Sequence, residues 1–219
     1  RRRKTATPRL TFMNEFGQPV GPDVPGWSPR PRPEARPLIG RWCRLEPLRP
    51  RDHGADLLAA FAADDGSMWT YMGYGPFTTL DDLVRWLDGW TDSDDPLFFA
   101  VVVDGEAVGL ASFLRVQPDA GVIEIGHLSF SPALQRTTAA TEAVALMLRC
   151  AFDDLGYRRV EWKADALNAA SAAAALRLGF SADGVFRQSL IYKGRNRDTA
   201  WFSILVGDWP LIRAALEAW

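Results

Sequence analysis

Cysteine and histidine are nearly absent: the 219 residues hold two of each, Cys43, Cys150, His53 and His127. Two cysteines are too few for a disulfide scaffold, and they form no metal-type pair. Two histidines leave a zinc site without its usual ligands. No metal is expected, and the thiols are expected to be reduced and partly buried, as in a cytoplasmic protein. Long apolar runs are missing too. None approaches the roughly 18 residues of a membrane span, and no signal-peptide pattern is present. There is no internal repeat. The chain opens on Arg1 rather than Met, as a trimmed fragment does.

Net charge is also small, at −2, but it hides a division. Residues 1–51 carry twelve Lys/Arg against four Asp/Glu, and ten of the fifteen prolines. Residues 52–219 carry thirteen against twenty-three. Residues 1–37 therefore read as an extended Arg- and Pro-rich arm, because proline forbids helix interiors and central strands. The cluster Arg1–Lys4 raises nucleic acid as a partner, but an acidic body without a basic-aromatic face makes that unlikely. Phe12, Phe16, Val20, Val24 and Trp27 lie in the arm. Their apolar surface calls for cover by the body or by a second subunit, which makes a homodimer an expectation.

From residue 38 to 219 the pattern is that of one domain. Residues 41–48 alternate as a strand. Residues 52–64 carry Leu57, Leu58 and Phe61 at helical spacing, and Thr79 caps a second helix reaching about Thr91. Between them lies a loop with Trp69, Tyr71, Tyr74 and Phe77. Residues 97–103 form a continuous apolar strand, and Asp104-Gly105 marks a hairpin to a strand at 107–114. A strand over 121–130, a helix over 136–153, a strand over 159–164 and a helix over 168–178 follow. Two last strands, near 184–193 and 199–206, precede a helix capped by Asp208. The expected fold is α/β, a mixed and mostly antiparallel seven-stranded sheet flanked by helices.

Two segments carry the chemistry. Glu124 to Ala143 runs from a strand through small and hydroxylated loop residues into a helix, leaving backbone N–H groups at a helix N-terminus as a seat for phosphate. Asn168 to Phe180 has Asn168 as an N-cap, Ser171 one turn on and Gly179 as a left-handed stop.

Together these resemble the GNAT superfamily of acyl-CoA-dependent N-acyltransferases, in the branch of ribosomal-protein alanine/serine acetyltransferases. The family loop Q/R-x-x-G-x-G/A appears as Gln135-Arg136-Thr137-Thr138-Ala139-Ala140, with Thr138 replacing the first glycine. Asn168, Ser171, Leu178, Gly179 and Phe180 match the later signature. The resemblance covers about residues 38–207. It implies a sheet splayed between its fourth and fifth strands, and acetyl-CoA as co-substrate. Its pyrophosphate would sit on the N–H groups of Arg136 to Ala140, with hydroxyl help from Thr137 and Thr138. Leu128 and Phe130 would border the pantetheine arm, and an N–H near Leu128 would polarise the thioester carbonyl. Asn168 would touch the pantetheine or cap its helix.

The resemblance also implies Glu124 as the base, eleven residues before Gln135. Side-chain alternation puts His127 on the face opposite Glu124, where it reads as a packed histidine, with a base as the alternative. Ser171 resembles the serine that assists the departing thiolate; the tyrosine many relatives use is Ala175 here. Tyr71, Tyr74, Phe77, His127 and Arg195 are candidates for the acceptor side. The implied reaction is direct acetyl transfer to a primary amine, either a protein or peptide N-terminus or a small molecule. The alternative is a CoA-binding regulatory module with little catalysis.

Overall fold

The computed structural model describes residues 12–218. The Arg1–Lys4 cluster lies outside them. A two-residue hairpin comes first, β1 (Phe12–Met13) with β2 (Pro19–Val20). The chain then continues through β3 (Leu38–Ile39), β4 (Arg44–Pro47), α1 (Pro50–Phe61), α2 (Leu80–Asp88), β5 (Leu97–Val103), β6 (Glu106–Gln117) and β7 (Val122–Phe130). The second half is α3 (Thr138–Arg149), a π turn over Cys150–Asp154, β8 (Arg159–Asp165), α4 (Ala169–Arg177), β9 (Ser181–Tyr192), β10 (Arg195–Leu205) and α5 (Trp209–Ala218).

The main sheet runs β3-β4-β5-β6-β7-β8-β10-β9. Every neighbour is antiparallel except β7 with β8. It has one strand more than expected, because Leu38–Ile39 pairs with Leu45 and Arg44. Two residues are too short a run for alternation to show in sequence.

Each face of the sheet carries its own helices. Ile123, Ile125, Phe202 and Ile204 pack with Ala143, Met147 and Leu178 into one buried layer against α3 and α4. Leu57, Phe61, Leu83 and Leu87 seal α1 and α2 onto Phe98, Ala100 and Leu110 on the other face. Leu57, Leu83 and Leu87 are fully buried, each contributing about 1.5–3 kcal/mol by burial. Thr79 caps α2 as its sequence requires, its hydroxyl accepting from the Asp82 N–H at 3.2 Å.

The arm meets the body through its last third. The Trp27 indole donates to Asp119 O at 2.8 Å, the Arg30 N–H to Pro118 O at 3.1 Å, and the Tyr157 hydroxyl to Pro31 O at 3.1 Å. Phe12, Phe16, Val20 and Val24 are exposed.

A tie that sequence does not announce lies at Glu142 of α3. Its carboxylate accepts the N–H groups of Arg41, Trp42 and Cys43 at 2.7, 2.6 and 2.8 Å. That fastens the β3–β4 link to the start of α3. Both cysteines are free and buried, and burial pushes the Cys43 thiol up to about 12 and Cys150 to about 11. Among the described residues no helix is long and apolar enough to cross a membrane, and no cluster suited to a metal is present.

Candidate active site

The parallel pairing of β7 with β8 is brief: Val122 with Arg159, Ile123 with Val160 and Glu124 with Glu161. Beyond Glu124 the two strands part. The cause is visible in the pairing of β7 with β6. Ser112 faces Gly126 and Leu110 faces Ser129, so one residue of β6 opposes two of β7. His127, at φ +50°, is the extra residue. Such a bulge twists its strand and leaves an N–H without a ladder partner. The expected splay thus has a local origin at His127–Leu128, and Leu128 and Phe130 turn toward the α3–α4 layer.

The loop into α3 opens beside this splay. Arg136 takes φ +61°. Thr137 is the N-cap, accepting from the Ala140 N–H at 3.1 Å and donating to Leu134 O at 2.6 Å. Gln135 donates its side-chain amide to Phe130 O at 2.8 Å. Among the described residues, the N–H groups of Arg136, Thr138 and Ala139 donate to no protein acceptor. They form an anion seat at a helix N-terminus. Two expectations need correction. The Ala140 N–H, the Thr137 N–H and the Thr137 hydroxyl are consumed by the cap and the turn before it, because a helix start closes its own first turn before it offers donors outward. Gln135 braces the loop through its side chain.

Across the splay, Asn168 caps α4 by accepting from the Ser171 N–H at 3.0 Å. The Ser171 hydroxyl accepts from the Trp162 indole at 2.9 Å. An indole N–H only donates, so the serine keeps its own proton to donate elsewhere. Ala175 is fully buried.

The opposite face of the sheet holds the charged and aromatic residues. Glu124 is buried, with Arg115 Nη1 at 2.7 Å from Oε1 and Lys163 Nζ at 2.8 Å from Oε2. The Lys163 contact is ionic, since Oε2 has no well-directed hydrogen bond. Lys163 also lies 2.9 Å from Glu161 and 3.7 Å over the Trp201 ring. Arg159 continues the network to Glu161 at 2.8 Å and Asp183 at 2.5 Å. Three carboxylates therefore face three cations. Arg115, Lys163 and Glu161 were not singled out from sequence. The alternation Arg159, Glu161, Lys163 along one strand was the available signal, since alternate residues share a face.

Tyr74 is half-buried, stacked 4.2 Å from Trp86 and 5.6 Å from His127. Its hydroxyl lies 3.1 Å from Ser129 Oγ and 3.2 Å from His127 Nδ1. The His127 ring sits 4.9 Å from Phe98, in the layer beneath α1 and α2. This corrects the expectation from alternation. The bulge shifts the side-chain phase by one residue and brings His127 to the Glu124 face. Phe77 packs 5.5 Å from Trp69 and 5.4 Å from Trp86, as part of the aromatic cluster. Tyr71 is half-buried, and Arg195 stands exposed where β10 leaves the hairpin. That hairpin reaches the loop through Lys193, which donates to Trp69 O at 2.7 Å.

The family profile of the Acetyltransferase (GNAT) domain matches residues 43–181. A crystal structure of a GCN5-related N-acetyltransferase from Brucella melitensis is 45% identical, superposes with a TM-score of 0.88, and the match covers 90% of each chain. A probable acetyltransferase of the GNAT family from Chromobacterium violaceum is 42% identical at a TM-score of 0.82, over 88% of this chain and 98% of that one. The N-acetyltransferase p20 of Bacillus licheniformis is 26% identical over 156 residues, 69% of this chain and 86% of its own length.

Proposed function

Because the chain belongs to the GNAT family of acetyltransferases, we propose that it transfers an acetyl group directly from acetyl-CoA to a primary amine. A protein or peptide N-terminus is the first choice of acceptor, and a small-molecule amine the second. Residues 1–37 serve as an arm on a catalytic domain formed by residues 38–219. The observation that carries the reading is the unpaired seat Arg136, Thr138 and Ala139 beside strands that part after Glu124.

The residues present fit the co-substrate. Three outward N–H groups and the helix dipole suit a pyrophosphate without any lysine. The parting of β7 from β8 exposes strand edges to which an amide-bearing pantetheine arm can bond. The N–H at the His127–Leu128 bulge would be available to negative charge developing on the thioester oxygen. Ser171, held as an acceptor by Trp162, keeps its own proton, which it would offer to the departing sulfur. A serine is too weak an acid to surrender that proton fully, so it stabilises by hydrogen bonding.

An α-amine, with a pKa of about 7.7–8.0, is far more often neutral at pH 7 than a lysine at about 10.4. That favours an N-terminal acceptor, since the carboxylate implied as the base is already paired. Glu124, implied as that base by the family resemblance, is already engaged by two cations. Here it is an electrostatic partner that fixes Arg115 and Lys163 along the acceptor wall.

The second reading, a CoA-binding module with little catalysis, rests on Ala175 in place of the tyrosine. One experiment separates the two. Purified protein is incubated with acetyl-CoA and a panel of peptides starting with Ser, Ala or Met. Thiol release together with N-terminally acetylated peptide supports the enzyme. CoA binding without acetylated product on any peptide or small amine supports the module.

A further inference from the structure

Among the described residues, His127 is a side chain of the acceptor wall with one ring nitrogen not consumed by another protein group. Its Nδ1 meets the Tyr74 hydroxyl at 3.2 Å. Among the described residues, Nε2 has no hydrogen-bond partner, and it is not sealed from solvent. The residue occupies a left-handed conformation, φ +50°, at the point where the strands part. A non-glycine residue held there costs energy, and such outliers gather at functional positions.

The bonds around it can run in two directions, since either hydroxyl of the Tyr74–Ser129 pair can donate and the imidazole can carry its proton on either nitrogen. The backbone carbonyl of His127 only accepts, and Ser129 Oγ lies 3.4 Å from it. In the direction where Ser129 gives its proton to that carbonyl, Ser129 Oγ accepts from the Tyr74 hydroxyl at 3.1 Å. The Tyr74 oxygen then accepts from His127 Nδ1–H. A neutral imidazole has one N–H, so this order puts the proton on Nδ1 and the lone pair on Nε2. His53 is set the opposite way. Its Nδ1 accepts the Arg49 N–H at 3.1 Å, which puts its proton on Nε2, facing Glu46 at 3.0 Å.

We propose that His127 Nε2 takes the proton from the acceptor amine during acetyl transfer. Tyr74 and Ser129 act as positioning residues that fix its tautomer. The proposal rests on the acetyl-transfer reading above. In the step, the neutral amine nitrogen forms a bond to the acetyl carbonyl carbon while Nε2 accepts one of its protons. The carbon–sulfur bond then breaks, and the thiolate recovers a proton from the imidazolium through solvent. The products are amide and thiol, and His127 is again neutral.

The titratable and charged groups around the ring are Tyr74 from the aromatic loop, Arg115 from β6 and, paired with Arg115, Glu124 from β7. Phe98 and Ser129 complete its surroundings. Burial, aided by the Arg115 charge, lowers the imidazole from 6.5 to about 4. It therefore stays neutral at pH 7. It accepts a proton only as the amine nitrogen acquires positive charge on bonding to carbon, which makes that proton more acidic than in the free amine.

The test is long-range proton–nitrogen NMR of the full chain labelled at histidine nitrogens, assigned with His127→Gln. The expected spectrum has opposite tautomers, Nδ1–H for His127 and Nε2–H for His53. Tyr74→Phe, which keeps the ring stack, is expected to shift His127 toward a mixture and leave His53 unmoved. An Nε2–H tautomer for His127 in the wild type overturns the proposal, as does an unchanged tautomer in Tyr74→Phe. With acetyl-CoA and a peptide starting with Ser, His127→Gln is expected to lower kcat roughly 100-fold at unchanged KM for acetyl-CoA. Tyr74→Phe is expected to lower kcat roughly tenfold, the loss of one neutral hydrogen bond. A kcat within twofold of wild type for His127→Gln overturns the proposal. Absence of turnover in the wild type on every acceptor overturns the acetyl-transfer reading instead, and the tautomer spectrum reads independently of it.

Discussion

The two sides of the splayed sheet solve different problems with different materials. The α3–α4 side offers backbone N–H groups, a helix end and one hydroxyl. The α1–α2 side is built of aromatic rings and a balanced set of three carboxylates and three cations. A backbone seat recognises a ligand portion that never varies. A wall of side chains sets the geometry around a nucleophile whose identity distinguishes one relative from the next. The comparison teaches that the shared half of a reaction can be written in backbone, while the particular half requires side chains from distant segments.

The largest effect expected is on the side-chain wall. Lys163→Met leaves Glu124 and Glu161 buried without their shared cation, and is expected to cost about 3–5 kcal/mol in denaturant unfolding. Adding Glu124→Gln should recover part of the loss. CoA affinity of the folded fraction is expected to stay unchanged, because the donor side does not touch this network. A parallel loss of CoA binding at full folding would break the division between the sides.

The converse change is Thr138→Asp. A carboxylate at the first turn suits the helix, so stability is expected to hold. The same charge opposes a pyrophosphate and is expected to weaken CoA binding by about 3 kcal/mol, roughly 100-fold, in a calorimetric titration. Unaltered affinity would place the CoA elsewhere.

The acceptor wall also carries a pH signature. His127 titrates near 6.5 in an unfolded chain and about 4 in the folded one. Between those values the unfolded chain binds the additional proton, so stability falls as pH drops from about 6.5 toward 4. The ceiling of that loss is about 3 kcal/mol. His127→Gln is expected to flatten this part of the stability profile, as measured by urea midpoints across the range. A smaller effect is expected at Glu142→Ala, about 2 kcal/mol, for three N–H groups left without their carboxylate. Smallest is Ser171→Ala, a loss of about 1 kcal/mol in transition-state stabilisation, seen as a severalfold lower kcat at unchanged stability.

The donor half was legible in sequence because its logic is local. Gln135 to Ala140 and Asn168 to Phe180 each place a cap, a turn and a helix start within a few residues, and the residue types report those requirements directly. The strands and helices followed from periodicity for the same reason. Even there, which N–H groups face outward escaped the reading, since Thr137 closes on Ala140 and Leu134. The acceptor half was less readable. Tyr74 meets Ser129 across 55 positions and Lys193 meets Trp69 across 124, separations that no spacing encodes. The bulge at His127 then reversed a correct alternation, because a single inserted residue changes the face of everything after it.

The central claim is that the backbone at the start of α3 grips acetyl-CoA while the acceptor is handled on the other face. The most direct measurement is a backbone amide NMR titration of the full chain with CoA. The expected result is that the largest shifts fall on Arg136, Thr138 and Ala139, with smaller ones at Leu128 and Ser171, and little change at Lys163 or Trp86. Saturable binding that leaves the amides of 136–139 unmoved, or shifts centred on the Lys163 network, would contradict it.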